Sequence, residues 1–152
     1  MRMAQGVTYR RMKREDAAAA AALEAACSRE AWSESAYGSA ALDSNALYLV
    51  AEEGDELVGC CGIWQSFEEG DICNVAVEES RRRRGIGEAM LRELMRMAGQ
   101  RGIENFTLEV RCSNLAAIRL YEKLGFTKEG LRKGFYSNPR EDALILWKRG
   151  GL

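Results

Sequence analysis

The feature that most constrains the fold is a strand, a basic turn with two glycines and an amphipathic helix in direct succession. The strand ends with Asn-Val-Ala-Val at residues 74–77, and the turn reads Arg-Arg-Arg-Gly-Ile-Gly at residues 82–87. Apolar residues then recur at helical spacing, which predicts a helix over about residues 84–100 with one apolar stripe. The stripe consists of Ile86, Met90, Leu91, Leu94 and Met97. Such a helix must bury its stripe against the sheet that contains the preceding strand.

The turn before this helix has the composition of a phosphate site. The first N–H groups of a helix have no partner within it, and the helix dipole makes that end positive. Gly85 and Gly87 let the backbone approach a pyrophosphate, and arginines supply forked donors. The glycine spacing differs from that of Walker and Rossmann loops. Two other interpretations stay open for this segment alone: a solvated arginine run that caps a helix, and an RNA-binding or nuclear-localisation signal at residues 81–84.

The rest of the chain alternates short strands and helices. The predicted order is β-α-α-β-β-β-α-β-α-β-β, an α/β (α+β) mixed sheet with helices on both faces. Strands are expected at residues 7–12, 47–52, 56–65, 72–77, 104–111, 126–127 with 131–136, and 143–147, with a hairpin turn at Gly54-Asp55. Helices are expected from residue 15, from Ser33 to Asp43, and from Asn114 to Gly125.

A second cluster of polar residues follows in the strand and helix after residue 104. Phe106, Leu108 and Val110 alternate with Thr107, Glu109 and Arg111, so Glu109 lies on the polar side of its strand. On the next helix, Asn114, Ala117, Ile118 and Tyr121 share one stripe. An amide and a phenol therefore face the same way. The structural alternatives are a core tyrosine and an ordinary solvated carboxylate.

Composition excludes several function classes. The 152 residues carry a net charge of −1, which argues against a generally basic nucleic-acid binder. No apolar run approaches the ~20 residues that span a bilayer, and residues 1–5 lack the apolar stretch of a signal peptide. We therefore expect one cytoplasmic domain over residues 1–152, with no nucleic-acid or membrane partner.

The cysteines and the absence of histidine limit the chemistry. Five cysteines occur without a CxxC spacing, so we expect buried thiols and no metal site. Without histidine, a general base must be a carboxylate, lysine, cysteine, tyrosine or water relay. A nucleophilic Cys73 or Cys112 is a minor alternative.

These motifs together resemble the GNAT superfamily of acetyltransferases. Residues 82–87 are similar to its coenzyme A signature, Q/R-x-x-G-x-G/A, and Asn114-x-x-Ala117-x-x-x-Tyr121 with Gly125-Phe126 looks like its second half. Within the superfamily, the chain most resembles the RimI-type ribosomal-protein-alanine N-acetyltransferases. The segments that carry this resemblance are residues 31–34, 74–77, 108–111, 113–114, 120–122, 135–136 and 140–143, although Ala31 stands where that type often has proline.

The resemblance implies a GNAT-type acyl-CoA N-acyltransferase fold, with a mostly antiparallel sheet, and acetyl-CoA as co-substrate. It implies Glu109 as base and Tyr121 as acid. The expected cofactor-binding residues are Val75, Ala76, Val77, Arg82, Arg83, Arg84, Gly85, Ile86, Gly87, Glu88, Asn114 and Ala117. We also expect the strand that ends at Val77 to splay from its parallel neighbour and to free an oxyanion-binding N–H near Ala76 or Val77.

The expected acceptor is the N-terminal α-amine of a protein, with a ribosomal protein as candidate, bound by a monomer or weak homodimer. Trp32, Phe135 and Tyr136 are expected to line its groove, although each could instead be a packing residue. A lysine side chain or a small amine such as a polyamine or antibiotic is the alternative acceptor. A non-catalytic coenzyme A sensor is the alternative of another class.

Overall fold

The computed structural model describes residues 6–150 and confirms the predicted order of elements. The elements are β1 (Val7–Arg11), α1 (Ala17–Cys27), α2 (Glu34–Leu42), β2 (Ala46–Glu53), β3 (Glu56–Ser66), β4 (Glu69–Val77), α3 (Ile86–Gln100), β5 (Asn105–Arg111), α4 (Leu115–Lys123), β6 (Thr127–Tyr136) and β7 (Glu141–Lys148). Residues 1–5, on which the expectation about a signal peptide rests, lie outside this range. No helix in the described range is long and apolar enough to cross a membrane.

The strands form one mixed sheet of order β1-β2-β3-β4-β5-β7-β6. Only β4 and β5 pair in parallel among the described strands, and the other five pairings are antiparallel. The connection between the two parallel strands is α3, as a crossover between parallel neighbours requires. The expectation of a mixed, mostly antiparallel sheet is confirmed.

One face of the sheet is covered by α3 and α4. The stripe on α3 is buried as predicted, with Ile86, Met90, Leu91 and Leu94 each at most 1% exposed, while Met97 is only partly buried. Burial of each such side chain stabilises the fold by about 1.5–3 kcal/mol. The inward residues of β5, predicted from their alternation, join this core.

The other face is covered by α1 and α2, which pack on β2, β3 and β4. Alanines in α1 allow a close approach to the sheet, and the fully buried ring of Tyr37 from α2 fills the space between them. The polar side of β5 faces this same side of the sheet, beside rather than beneath the two helices. Because neither α1 nor α2 packs on β5 among the described residues, we call the surface beside β4 and β5 on this face the groove.

Several element boundaries differ from the sequence-based expectation, and three of these differences concern α3, β4 and β6. The helix α3 begins at Ile86 because Gly85 has a left-handed φ of 81°, which a helix cannot contain. The strand β4 begins at Glu69 rather than residue 72, because the hairpin with β3 pairs Ser66 with Glu69. The two predicted pieces of β6 are one strand.

The strand β6 forms one edge of the sheet. Its pairing with β7 shifts register twice, between Lys128 and Gly130 and between Arg132 and Tyr136. Most of its side chains are exposed, among them Leu131 and Phe135. The other edge is β1.

Candidate active site

The parallel strands β4 and β5 separate within the sheet. Their pairing joins residues 69–71 to residues 105–107 and extends no further in the described structure. Beyond it, Ala76 and Val77 still pair with β3 on the other side. The strands therefore diverge as expected and leave a gap beside Val75, Ala76 and Val77.

The start of α3 lies at the end of β4, next to this gap. Its N-cap is Gly85, and no side chain within the described residues caps its first turn. The free N–H groups of that turn can therefore donate hydrogen bonds to a bound anion. Gly87 also keeps the first turn of the helix free of a side chain. A Cβ at this position would stand in van der Waals contact with its neighbours, 3.5 Å from Leu120 and 3.7 Å from Val77. This arrangement fits the pyrophosphate and arm of a coenzyme A molecule.

The charged side chains around the turn divide into two groups. Arg84 forms an ion pair with Glu53 at 2.7 Å, as does the preceding Arg81 at 3.1 Å. In contrast, Arg83 is exposed, and Arg82 donates to the carbonyl of Val77 at 3.2 Å. Arg82 and Arg83 thus stand at the surface of the turn.

Glu88, in the first turn of α3, is held by cations of its own chain. Its carboxylate forms ion pairs with Lys123 at 2.8 Å and with Arg92 at 3.1 Å. These contacts, the Lys123 hydrogen bond first, lower the pKa of Glu88. Any contact of Glu88 with an anionic ligand would therefore use its backbone N–H rather than its side chain.

The helix α4 carries the predicted amide and phenol. The Asn114 side chain caps the helix by accepting from the Ala117 N–H at 3.2 Å. Tyr121 is buried, and its ring contacts Phe126 with a centroid separation of 5.9 Å. Burial raises the pKa of Tyr121, so its hydroxyl is protonated at neutral pH and can act as a proton donor.

Glu109 lies on the open face of β5, between the buried Leu108 and Val110. It belongs to an acidic region that the sequence did not indicate. Burial, followed by the charge of Glu109, raises the pKa of Asp71 to about 6. The same two causes raise the pKa of Tyr136 to about 12. Asp71, Glu109 and Tyr136 therefore share one polar environment next to the gap.

Tyr121 reaches this region from the opposite face of the sheet. Burial is the largest cause of the raised pKa of Tyr121, followed by the charges of Cys61 and Tyr136. Glu109 and Tyr121 thus stand on opposite sides of the diverging strands, and Tyr136 is close enough to interact electrostatically with both.

Aromatic rings line the side of the groove formed by α1 and α2. Trp32 is half-buried and lies 5.6–6.4 Å, between centroids, from the rings of Tyr37, Tyr48 and Trp64. It is therefore both a packing residue and part of the groove surface. The indole of Trp64 donates to the Tyr48 hydroxyl at 3.1 Å.

The opposite side of the groove is formed by the β6–β7 hairpin. Phe135 and Tyr136 pack edge to face at 5.0 Å, and the Arg111 guanidinium lies 4.4 Å from the Tyr136 ring centre. Arg111 also forms an ion pair with Glu30, and Arg29 donates to the Asn138 carbonyl. These contacts join the two sides of the groove at one end.

Of the two cysteines considered as an alternative nucleophile, Cys73 is disfavoured. Burial raises the pKa of Cys73 to about 12, although a hydrogen bond with Tyr48 opposes this effect. A thiolate at this position is therefore scarce at neutral pH. All five cysteines are free thiols, and Cys60 and Cys61 are fully buried.

Two polar residues next to the gap were missed by sequence reasoning. Asp71 lies one residue before the strand predicted at residues 72–77, yet it pairs in register with Thr107, two residues before Glu109. Glu24 lies in an alanine-rich helix whose sequence shows no polar stripe, and it is 5% exposed. Pairing of β4 with β5 from residue 69 would have indicated Asp71, whereas no sequence signal indicated Glu24.

A sheet with diverging parallel strands, an uncapped helix start beside them and a carboxylate on the neighbouring strand defines an acyl-CoA-dependent acyltransferase. Residues 17–126 match the acetyltransferase (GNAT) family. The chain belongs to this family, and it is an N-acetyltransferase.

Particular relatives refine this result. The chain is 34% identical to a Bacillus subtilis protein provisionally named as a ribosomal protein bS18-alanine N-acetyltransferase, over 91% of this chain and 92% of that one. It is 33% identical to the N-alpha-acetyltransferase RimI of Mycobacterium tuberculosis, over 95% and 94% of the two chains. The crystal structure of the ribosomal-protein-S18-alanine N-acetyltransferase from Escherichia coli superposes with a TM-score of 0.88 at 30% identity, covering 96% and 95%.

Proposed function

We propose that this protein transfers the acetyl group of acetyl-CoA to the N-terminal α-amine of a protein, with a ribosomal protein as the first candidate acceptor. The observation that carries the proposal is the gap between β4 and β5, with the start of α3 at its side and Glu109 beside it. Relatives named as alanine N-acetyltransferases of ribosomal protein bS18 support the choice of acceptor.

The residues at the start of α3 would hold the donor. The N–H groups of Ile86, Gly87 and Glu88 face outward from the first turn, and they would bind the pyrophosphate with Arg82 and Arg83 beside them. The Asn114 amide nitrogen, which the helix cap does not use, would contact the arm near Ala117. When bound, acetyl-CoA supplies a thioester whose carbonyl is open to attack. A backbone N–H at Ala76 or Val77 would stabilise negative charge on that oxygen.

Glu109 would remove the proton from the attacking amine, directly or through a water molecule. An α-amine has a pKa of about 7.7–8.0, so a useful fraction is already neutral at physiological pH, whereas a lysine amine at about 10.4 needs more help. The negative region formed by Asp71 and Glu109 would attract a cationic amine into the groove. Tyr121, a phenol that is protonated at neutral pH and whose pKa burial raises further, would donate its proton to the leaving thiolate.

The groove between Trp32 and the Phe135-Tyr136 pair would bind the first residues of the acceptor. Its aromatic side suits an extended peptide, and the Arg111–Glu30 contact closes one end. A small amine would use little of this surface. The two-sided groove therefore favours a peptide acceptor over a polyamine.

Free thiol release from acetyl-CoA tests the proposal. The acceptors are peptides with varied first residues, the same peptides with blocked N-termini and a free lysine, and polyamines. We expect release only with free N-termini, strongest for alanine or serine in first position. Release with blocked peptides or polyamines would assign a lysine or small-amine acetyltransferase. Binding of coenzyme A without any release would assign a sensor.

The base is tested separately with Glu109→Gln. This change removes the proton acceptor but keeps the shape of the side chain, so turnover should fall and its pH profile should shift. The affinity for acetyl-CoA should change little, because Glu109 lies on the face of β5 away from α3 and α4. Unchanged activity across the pH range would exclude Glu109 from the mechanism.

A further inference from the structure

The buried carboxylate of Glu24 is the first of two observations that point to a further functional residue. Glu24 lies on α1, and its oxygens accept from the Trp32 N–H at 2.9 Å, the Tyr37 hydroxyl at 2.7 Å and the Asn74 Nδ2 at 3.1 Å. No basic side chain in residues 6–150 forms an ion pair with it. A buried charge without a cation is costly, so these donors compensate for its lost hydration.

The second observation is the irregular backbone of β4 at Asn74. The register passes from Cys60–Ala76 to Gly62–Cys73, so two residues of β4 oppose one residue of β3. This is a β-bulge, and Asn74 takes a left-handed φ of 58° within it. Glycine is the usual residue for such a position, and asparagine is one of the few others that tolerate it.

The side chain of Asn74 explains the use of asparagine rather than glycine. Its Nδ2 donates to both oxygens of Glu24, and its Oδ1 accepts from the Tyr48 hydroxyl at 2.7 Å. Trp64 in turn donates to Tyr48. The amide is therefore held on both sides, which glycine could not provide.

The position of the bulge connects the Glu24–Asn74 contact to the gap between β4 and β5. The bulge lies between residue 71, where β4 leaves β5, and residues 75–77, which border the gap. The same carboxylate also fixes the backbone of Trp32, on the acceptor side of the groove. One buried group thus touches both the strand that would hold the acetyl donor and the segment that would contact the acceptor.

We propose that Glu24 is a positioning residue, which locks the Asn74 bulge so that β4 stays open toward β5 and fixes Trp32 at the acceptor groove. This inference rests on the proposed function for the acceptor side only, because coenzyme A binding can be measured without any acceptor. Glu24 touches no reacting atom in this scheme. It acts through Asn74 and Trp32.

An exchange of the two polar groups tests the proposal. In Glu24→Gln an amide faces the Asn74 amide, and in Asn74→Asp a carboxylate faces the Glu24 carboxylate. In the double variant E24Q/N74D an amide again donates to a carboxylate, and aspartate also tolerates the left-handed backbone. We expect each single change to raise the Kd for coenzyme A by about tenfold, the effect of losing one hydrogen bond to a charged group, and the double variant to restore it.

The matched control is Asp16→Asn, which makes the same carboxylate-to-amide change at a buried position beside α1. Asp16 pairs with Arg10 at 2.8 Å, away from the bulge. We expect this variant to lower the melting temperature but leave the Kd for coenzyme A unchanged. The measurement is isothermal titration calorimetry with coenzyme A, combined with the acceptor KM wherever thiol release is observed.

The outcomes separate a positioning role from a structural one. Single variants that melt earlier but bind coenzyme A normally would overturn the proposal, as would a double variant no better than the weaker single. Should the single variants not fold, Asn74→Gly keeps the bulge conformation and removes only the contact. An unchanged Kd in that variant would equally refute the inference. Failure of the unaltered protein to bind coenzyme A would instead refute the proposed function.

Discussion

Replacing Gly62 with alanine provides a direct test of how tightly the sheet packs beside the groove. Gly62 of β3 pairs with Tyr48 of β2, and the Tyr48 ring lies across it. A Cβ at position 62 would stand 2.2 Å from Cε2 and from Cζ of that ring. Carbon atoms in contact are normally about 3.5–4.0 Å apart, so the ring would have to move by more than 1 Å.

The Tyr48 ring has little freedom to make this movement. It is 3% exposed, and its hydroxyl is held by Asn74 and Trp64. Overpacking costs about 1–3 kcal/mol, and each hydrogen bond lost adds about 1 kcal/mol. We therefore expect the Gly62→Ala variant to be less stable by about 3–4 kcal/mol. For a chain of this length, that corresponds to a fall in melting temperature of about 10 °C.

Urea unfolding followed by circular dichroism measures this change, with Gly38→Ala as the matched control. Gly38 lies inside α2, where a Cβ would meet only Ala17 at 4.0 Å. Because alanine is favoured over glycine in a helix, the control should be more stable by about 0.5–1 kcal/mol. A Gly62→Ala variant within about 0.5 kcal/mol of the unaltered protein would refute the reasoning, since the ring would then be free to move.

Three further predictions concern titratable groups. Tyr121→Phe should lower kcat at least about tenfold, or about 1.4 kcal/mol of barrier, in the thiol-release assay; full activity would show that water supplies the proton. Asp71 has a pKa raised to about 6, so the folded state holds its proton more tightly and stability falls as pH rises from about 4 to 6. Asp71→Asn should remove that fall in urea midpoints, and an unchanged profile would contradict the assignment. Asp16 affects stability in the opposite direction. Hydrogen bonds from Arg10 lower its pKa, so its contribution to the stability of the fold is lost as the pH falls below about 4. The Asp16→Asn variant should therefore lose stability at pH 7 and little at pH 3, whereas an equal loss at both values would exclude the ion pair as the cause.

Periodic patterns and turn residues were sufficient to predict the order of elements in a mixed sheet, whereas the mostly antiparallel GNAT-type fold was implied by the resemblance. The alternation around Leu108 and the stripe around Met90 each depend only on local spacing, and both are buried as expected. Helices were predicted to begin near Ser33 and near Asn114, and each of these two side chains accepts a hydrogen bond from the third residue of its helix. These features depend only on residues that are close together in the chain, so they can be predicted directly from the sequence.

The polar contacts around the gap could not be predicted in the same way. The Glu24–Asn74 contact joins residues 50 positions apart, and neither residue lies in a periodic pattern. The bulge at Asn74 depends on the pairing of β3 with β4, which the sequence of β4 alone does not specify. The raised pKa of Asp71 comes first from burial and then from the charge of Glu109 on another strand. Each of these features arises from tertiary placement of ordinary residues.

The irregular edge strand β6 affects how the sheet meets other molecules. An exposed strand with free N–H and C=O groups is a template on which another chain can add a strand and start a fibril. On β6 the two register shifts disturb the spacing of those groups, and Lys128, Arg132 and Lys133 place positive charges along the strand. A second molecule laid along this edge would find neither a regular ladder of hydrogen-bonding groups nor an uncharged strand. The exposed Leu131 and Phe135 can therefore stay at the surface without making this edge a site of sheet polymerisation.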